Sequence, residues 1–224
     1  MLRLPVIIVN CKAYPTATGQ KAVELANVCA RVAEETGKEI AIAVSSCDIH
    51  RVATQVEIPV LAQHVDGVEP GSHTGSVIAE AVREAGADGT LLNHSERRIP
   101  KEDIESAIQR CNSQNLSTIV CAQDPDEAKE LSLLKPTMIA MEPPELIGGD
   151  VSVSTQDPES IKKSAQLMHH EGACGILIVG AGIKDGNDVR VSRELGAQGV
   201  LVASGITKAD DPYTALKELV SGLM

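Results

Sequence analysis

Short apolar runs alternate with longer segments of helical spacing along the whole chain. Each run is apolar throughout instead of alternating between apolar and polar residues. Such runs are typical of strands buried on both faces, and therefore of a parallel sheet. We predict eight strands, at residues 6–9, 40–44, 59–62, 89–92, 118–122, 137–141, 175–179 and 199–202.

The segments between the runs have the features of amphipathic helices. One apolar stripe, which Gly37 closes, comprises Leu25, Val28, Cys29, Val32 and Ala33. Three further helices are predicted to begin with an aspartate that caps the free amides and a proline at the first helical position, at Asp124-Pro125, Asp157-Pro158 and Asp211-Pro212. Glu127 is predicted to complete a capping box on the first of these helices.

An internal repeat points to the arrangement of these units. The stretches "EAGADGTLL" (84–92), "HEGACGILI" (170–178) and "ELGAQGVLV" (194–202) each combine a helix end, a tight turn and a buried strand. The first and third lie about half a chain apart. Eight β/α units with a repeat half a chain apart predict an α/β fold, specifically a small (β/α)8 barrel. We expect this barrel to form a single domain over residues 1–224. A doubly wound open sheet is the less favoured alternative.

Composition and charge narrow the possible partners. The formal net charge of −11 argues against nucleic acid, because phosphate backbones need a basic face, although a local site can still bind a small anion. No apolar run is long enough to span a membrane, and the first residues lack a signal peptide's long apolar region. We therefore expect a cytoplasmic protein. The six cysteines form no CxxC pair, so reduced, mostly buried thiols are expected.

In a (β/α)8 barrel the active site lies at the carboxyl ends of the strands, so the residues after each run are candidates for chemistry. The turns "GAGI" (180–183) and "ASGI" (203–206) follow the last two runs and suit a phosphate group. A dinucleotide-binding loop is excluded at "GAGIKDG", because Gly186 falls one place late for that motif.

Three charged or titratable residues also follow predicted strands. Lys12 is placed to face a phosphate, and His94 stands at a junction between strand and loop. Glu142 closes a fully apolar strand, where burial would raise its pKa toward useful basicity. His169 and His170 are expected to be surface residues, since no carboxylate accompanies them as a metal ligand.

Five stretches together resemble the triosephosphate isomerase family: "NCK" (10–12), "NHSERR" (93–98), "EPPELIG" (142–148), "GAGI" and "LVASGI" (201–206). They extend from the first predicted strand to the eighth. In its short length and in the "EPPELIG" sequence, the chain resembles the archaeal branch of the family, whose members are dimers or tetramers. "SHTG" (72–75) resembles the loop that reaches a neighbouring subunit, so Thr74 is expected to approach the partner's site.

The resemblance implies an enzyme of glycolysis and gluconeogenesis that interconverts dihydroxyacetone phosphate and D-glyceraldehyde 3-phosphate through an enediolate, without cofactor or metal. Glu142 would be the catalytic base, His94 the electrophile, and Lys12 and Asn10 would stabilise and orient the substrate, with Glu96 beside them. The residues implied in substrate binding are Asn10, Lys12, Ile147, Gly148, Gly182, Ala203, Ser204 and Gly205. Asn93 and Gly149 depart from the family, where glycine and threonine, respectively, are common.

The stretch "EPPELIGG" (142–149) also predicts a moving cover. Pro143 and Pro144 restrict the joint beside the base, and Gly148 and Gly149 free the far joint. Residues 145–147 would then move as the tip of a lid and cover the phosphate, and residues 145–148 are called the lid below. Two alternatives stay open: another phosphate-binding barrel enzyme, such as an epimerase whose metal would need His64 and Asp66, and a barrel that binds without catalysis.

Overall fold

The computed structural model describes residues 2–149, 151–168, 173 and 175–223. Within them, eight parallel strands form a closed barrel, as the apolar runs predict. The strands are β1 (Val6–Asn10), β2 (Glu39–Val44), β3 (Val60–Ala62), β4 (Gly89–Leu92), β5 (Ser117–Ala122), β6 (Met138–Met141), β7 (Leu177–Gly180) and β8 (Gly199–Val202). Every strand pairs with the next along the chain, and β1 pairs with β8, so that no edge is left open.

Helices connect the strands on the outside of the barrel. They are α1 (Gln20–Thr36), α2 (Ile49–Ala53), α3 (Ala79–Glu84), α4 (Lys101–Ser113), α5 (Pro125–Ser132), α6 (Val153–Gln156), α7 (Pro158–Met168), α8 (Gly186–Glu194), α9 (Ser204–Thr207) and α10 (Pro212–Ser221). None in the described ranges is both long and apolar enough to cross a bilayer. The first and last helices pack together, and the Tyr213 hydroxyl of α10 donates a hydrogen bond to Glu35 of α1.

The two faces of each strand pack into two separate apolar clusters. Ile8, Ala41 and Leu201 belong to the smaller cluster, which fills the barrel. Their neighbours Ile7 and Ile40 belong to the larger cluster between the strands and the helices. Because both faces are buried, the strands have no polar alternation, which explains the continuous apolar runs of the sequence.

Six of the eight strands differ from the predicted ranges, five of them by one residue at one end and the seventh at both ends. The seventh strand runs over Leu177–Gly180 instead of 175–179, because Gly175 has a φ of +72°, which is not an extended conformation. Thr137 lies just before β6 and is paired with Thr118 of β5 through side chains. The Oγ1 atom of each accepts a hydrogen bond from the backbone N–H of the other, at 3.0 and 3.1 Å.

The predicted helix starts are confirmed, with one correction. Asp124 accepts hydrogen bonds from the amides of Asp126 and Glu127, and Asp157 and Asp211 cap α7 and α10 in the same way. The Glu127 carboxylate, however, accepts from the amide of Gln123, one residue before the cap, so the capping box predicted at Asp124 is wrong.

The helix-to-strand turns of the repeat are confirmed in the first and third copies. Gly86 and Gly196 stand at equivalent places with φ values of +98° and +109°, a region that glycine enters without steric cost. The middle copy overlaps residues outside the described ranges, as do His169 and His170. All strands run in the same direction, so the residues that follow them meet at one rim of the barrel.

Candidate active site

A cavity of about 380 Å³ opens at the carboxyl ends of β1, β4, β6, β7 and β8. All the residues predicted for catalysis and substrate binding line it: Asn10, Lys12, His94, Glu142, Ile147, Gly148, Gly182, Ala203, Ser204 and Gly205. Tyr14 also lines the cavity, and the ammonium group of Lys208 lies 4.3 Å from the centre of its ring. The structure therefore brings together in space residues that are spread over nearly the whole chain.

Glu142 is positioned directly after β6, where its amide donates to the carbonyl of Ala122 at 2.8 Å. The side chain is buried, and within the described residues its Oε2 atom has no hydrogen-bond partner. Burial raises the pKa of this carboxyl to about 7, although the charge of Lys12 and a hydrogen bond from the Cys121 thiol act in the opposite direction. A carboxylate with this pKa can accept a proton near neutral pH.

The tautomer of His94 is fixed by the loop that follows it. The backbone amide of Glu96 donates to Nδ1 at 3.2 Å, so Nδ1 is the unprotonated nitrogen and Nε2 carries the hydrogen. Burial, together with the nearby charge of Lys12, holds the pKa of His94 below its ordinary value, which favours the neutral ring. Nε2 lies 3.6 Å from Oε2 of Glu142. The histidine therefore presents an N–H donor beside the carboxylate.

Lys12 and Asn10 are held by a network at the end of β1. Lys12 has a φ of +49°, a left-handed conformation that costs free energy in a non-glycine residue. Its amide donates to Oδ1 of Asn10 at 3.0 Å, and its carbonyl accepts from Nε2 of Gln63 at 3.0 Å. Its ammonium group forms an ion pair with Glu96 at 2.8 Å. Glu96 thus contacts both Lys12 and His94.

Gln63 holds Asn10 and Lys12 in place, a role that the sequence pattern did not predict. Its amide nitrogen also lies 3.3 Å from Oδ1 of Asn10 and 3.3 Å from the carbonyl of Ala43, so it joins the ends of β1 and β2. The available signal was its place at the end of the third strand, immediately before His64.

The two turns predicted to bind phosphate have different backbones. In the first, Ala181 and Gly182 are consecutive left-handed residues with φ values of +74° and +70°. A side chain at Gly182 would lie 2.1 Å from the carbonyl oxygen of Val151, so only glycine fits there. In the second, α9 begins at Ser204 immediately after β8, and the first amides of a helix have no acceptor within the helix.

The segment that contains the predicted lid extends from Glu142 to the mouth of the cavity. It begins in a 3₁₀ turn at Pro144–Leu146, and Ile147, Gly148 and Gly149 lie along the cavity wall. Gly148 has a φ of +72°, so the far joint adopts a conformation that glycine permits. Glu145 at the tip is exposed.

Asn93 departs from the family pattern at a position that the backbone explains. Its φ of +59° lies in the left-handed region, which asparagine tolerates better than most residues. Its side chain donates to the carbonyl of Cys121 at 3.0 Å and accepts from the amide of Ile99 at 3.2 Å. Asparagine therefore adopts the turn and also ties the loop after β4 to β5.

The other polar candidates lie outside the cavity. His64 and Asp66 face each other at 2.9 Å, and no group of three or more metal-ligating side chains occurs within the described residues. Thr74 lies in a loop whose residues 69–75 are all exposed. The described cysteines, Cys11, Cys29, Cys47, Cys111 and Cys121, are free thiols.

Comparisons with known proteins bear on the family of the chain and on its fold. A family model described as triosephosphate isomerase matches residues 5–221. The triosephosphate isomerase of Methanopyrus kandleri is 51% identical over 225 residues and covers 100% of both chains. That of Methanobacterium bryantii is 46% identical, over 97% of this chain and 96% of its own. The crystal structure of the Bartonella henselae triosephosphate isomerase superposes with a TM-score of 0.77 at 20% identity, over 96% and 99% of the two chains, and supports the fold alone.

Proposed function

The chain belongs to the triosephosphate isomerase family of enzymes, and on that premise we propose that it interconverts dihydroxyacetone phosphate and D-glyceraldehyde 3-phosphate with Glu142 as the base. One observation carries the assignment of the base. The buried Glu142 carboxylate, with its pKa near 7, shares the cavity with the Nε2–H donor of His94 and the ammonium group of Lys12.

The reaction needs a proton to move between two neighbouring carbons. The Glu142 carboxylate removes a proton from the hydroxymethyl carbon of the ketone, and the electron pair left behind forms a carbon–carbon double bond. The carbonyl oxygen then takes the negative charge of an enediolate. Return of the proton from Glu142 to the adjacent carbon gives the aldehyde, while the hydroxyl proton moves from one oxygen to the other.

His94 and Lys12 act on the charge that forms on oxygen. A neutral imidazole can donate its Nε2 hydrogen to the enediolate and take back the neighbouring hydroxyl proton, so it stabilises the charge and carries the proton between the oxygens. The Lys12 ammonium adds a fixed positive charge. Asn10, which accepts from the Lys12 amide, would help to orient the substrate.

The phosphate group is proposed to lie between the lid and the turns after β7 and β8. Ile147, Gly148, Gly182, Ala203, Ser204 and Gly205 line that part of the cavity. Small residues let the anion approach the backbone, and the free amides at the start of α9 would donate to it. A local site of this kind can bind an anion although the chain has a net charge of −11.

We further propose a homodimer or homotetramer that acts in glycolysis and gluconeogenesis in the cytoplasm. The exposed loop 69–75, which contains Thr74, supports an interface between copies. A second cavity, whose lining includes Lys12, His64, Glu96 and Arg97, adjoins the site and would receive that loop from a neighbouring copy.

A coupled assay of the purified protein with glyceraldehyde 3-phosphate tests the function. The variant Glu142→Gln keeps the shape of the side chain but cannot take a proton. Because a general base contributes roughly 10²–10⁴-fold to the rate, turnover should fall by about that factor. Glu159→Gln, on the exposed surface of α7, is the matched control and is expected to retain wild-type turnover. The proposal is wrong if the wild-type protein does not exceed the buffer rate, or if Glu142→Gln retains full activity.

A further inference from the structure

A polar cluster joins the far end of the lid to the turn after β7. The amide of Val153 donates to the carbonyl of Ala181 at 3.2 Å, and the carbonyl of Val151 covers Gly182. Residues 151–154, called the lid foot below, therefore lie directly on the turn at 181–183. This contact links two segments that are proposed to meet the same phosphate group.

Asp188 connects these segments through its two carboxylate oxygens. Oδ1 accepts a hydrogen bond from the Ser154 hydroxyl at 2.6 Å, and Oδ2 accepts from the amide of Lys184 at 3.0 Å. The Ser154 hydroxyl also lies 2.9 Å from that of Ser152. One oxygen of Asp188 thus holds the lid foot, and the other holds the segment that follows the turn.

Capping of α8 does not account for Asp188. The cap of that helix is Asp185, whose carboxylate already accepts the amide of Asp188 at 2.9 Å. The Asp188 carboxylate is buried, and burial of a charge is costly unless hydrogen bonds compensate for it. Ser154 belongs to α6, so its hydrogen bond to Asp188 joins two helices and does not cap α8.

The turn needs such a restraint because its backbone is strained. Ala181 is left-handed at +74°, a conformation that costs free energy in alanine and persists only where the surroundings hold it. The amide of Val153 binds the carbonyl of Ala181 within the turn, and the Asp188 carboxylate holds the amide of Lys184 directly after it. Without the carboxylate, the turn and the lid foot could separate.

We propose that Asp188 is a positioning residue, which keeps the lid foot and the 181–183 turn together in the arrangement that binds the substrate's phosphate. Asp188 itself touches no substrate and acts through Ser154 and Lys184. The role deepens the proposed function and rests on it. Loss of the link should weaken phosphate binding and loosen the lid, and should change the chemistry at Glu142 much less.

The decisive variant is Ser154→Ala, which removes the link and leaves the hydrogen bond from the Lys184 amide to Asp188 in place. Asp188→Ala removes the hydrogen bonds from both Ser154 and Lys184. Asp188→Asn is the conservative variant, since its amide group can still accept from Lys184 and donate to Ser154. Ser192→Ala is the matched control, because Ser192 is a fully buried serine of α8 whose hydroxyl has no partner within the described residues.

Steady-state kinetics, inhibition by inorganic phosphate and methylglyoxal release per turnover are measured for each variant. For Ser154→Ala, the KM and the inhibition constant of phosphate should both rise about tenfold, with kcat within about threefold of wild type. Methylglyoxal per turnover should rise, Asp188→Asn should recover most of the loss seen in Asp188→Ala, and Ser192→Ala should match the wild type.

The role is overturned if Ser154→Ala leaves the phosphate constant within twofold of wild type, or if Ser192→Ala produces the same change. A loss in kcat alone would also overturn it. If the wild-type protein has no isomerase activity, the proposed function fails separately. Calorimetric titration of wild type and Ser154→Ala with inorganic phosphate would then still decide whether the link positions an anion site.

Discussion

At the residue scale, the Glu142 carboxylate is held in surroundings that raise the free energy of its ionised form. It is buried at the end of an apolar strand, and within the described part of the chain one of its oxygens has no hydrogen-bond partner. Among the described residues, the Lys12 charge and the Cys121 thiol are the groups that favour ionisation. The side chain is therefore a stronger base than an exposed glutamate would be.

The activity should fall as the pH decreases through about 7. In the free enzyme the pKa of Glu142 is raised to about 7, and only the ionised form accepts a proton, so kcat/KM should decrease tenfold per pH unit well below that value. The measurement is a pH profile of kcat/KM. A profile that stays flat down to pH 5 would contradict the assignment.

Two cysteine variants test whether the inflection of that pH profile belongs to Glu142 or to another titrating group. Cys121→Ala removes a hydrogen bond that lowers the pKa of Glu142, so the inflection should move to higher pH. Cys111→Ala removes another buried thiol away from the site and should leave the inflection unchanged. Titration of the substrate's own phosphate is the same for all three proteins.

Gly180 is expected to set the position of the base. A methyl group at this residue would lie 2.5 Å from Oε1 and 2.8 Å from Cγ of Glu142. Gly180→Ala should therefore displace the carboxylate and lower kcat by about 10²-fold, since a misplacement of about 1 Å can cost that much. Circular dichroism should confirm that the fold is retained.

A double-mutant cycle tests whether the effect of Gly180→Ala is steric. Glu142→Asp shortens the side chain and makes room for the methyl group, so Gly180→Ala should cost much less in that background than in wild type. Additive losses in the two backgrounds would show that the methyl group acts elsewhere.

The sequence predicted the polar residues of the site better than the residues that hold them. Asn10, Lys12, His94 and Glu142 each follow an apolar run within three residues, and that position alone places them at the rim. Cys121 lies inside such a run, and Gly180 begins the turn predicted to bind phosphate, so neither position indicates a contact with Glu142. Their effect on Glu142 depends on contacts between neighbouring strands, and no spacing along one strand reveals those contacts.

At the element scale, one short segment, which contains the predicted lid, joins the proposed base to the proposed phosphate site. It leaves β6 through two prolines and reaches the cavity wall at Ile147 and Gly148. Its far foot is held by the carbonyl of Ala181. Movement of residues 145–148 would then cover the substrate without disturbing the strand that carries the base.

Deletion of residues 145–148 should leave the barrel folded, lower turnover and release methylglyoxal. The deleted residues are exposed or half-buried, so little core is lost, but an uncovered enediolate can lose its phosphate. Product analysis measures the methylglyoxal. Gly148→Ala is the milder control, because a methyl group there meets no atom within 4 Å and only strains the joint. Undiminished turnover without methylglyoxal in the deletion variant would rule out the lid.

Element boundaries were less predictable where tertiary contacts decide them. Gly175 extends an apolar run in the sequence, yet its left-handed backbone excludes it from β7. Glu127 has the spacing of a capping box, but its carboxylate reaches the amide of Gln123 instead. The Ser154–Asp188 link joins residues 34 positions apart, and no local pattern could indicate it.

At the scale of the whole molecule, closure of β1 on β8 fixes the rim and leaves loop 69–75 projecting from it. Asp66 holds the base of that loop: its amide donates to the carbonyl of Val77, and its carboxylate accepts the amide of Val77. Arg97 and His64 contact the same carboxylate. A loop with a fixed base and an exposed tip is suited to contact a second copy of the chain.

Thr74→Glu should weaken assembly without unfolding the subunit. An unpaired charge forced into an interface is strongly unfavourable, so the dissociation constant of the oligomer should rise about a hundredfold or more. Sedimentation velocity over a concentration series measures it. Gln198→Glu, an equal change at an exposed residue near the start of β8, is the control. Unchanged assembly in Thr74→Glu would contradict an interface at this loop.

The placement of the two tyrosines makes the protein unusually simple to follow by optical spectroscopy. With no tryptophan or phenylalanine in the chain, Tyr14 and Tyr213 supply its entire near-ultraviolet signal from aromatic rings. Tyr14 lines the cavity under Lys208, and Tyr213 joins α10 to α1 on the outer layer. Replacing one tyrosine by leucine leaves a near-ultraviolet spectrum that comes from the other ring alone. Ligand entry and loosening of the helical layer can then be recorded as two separate signals, without any added label.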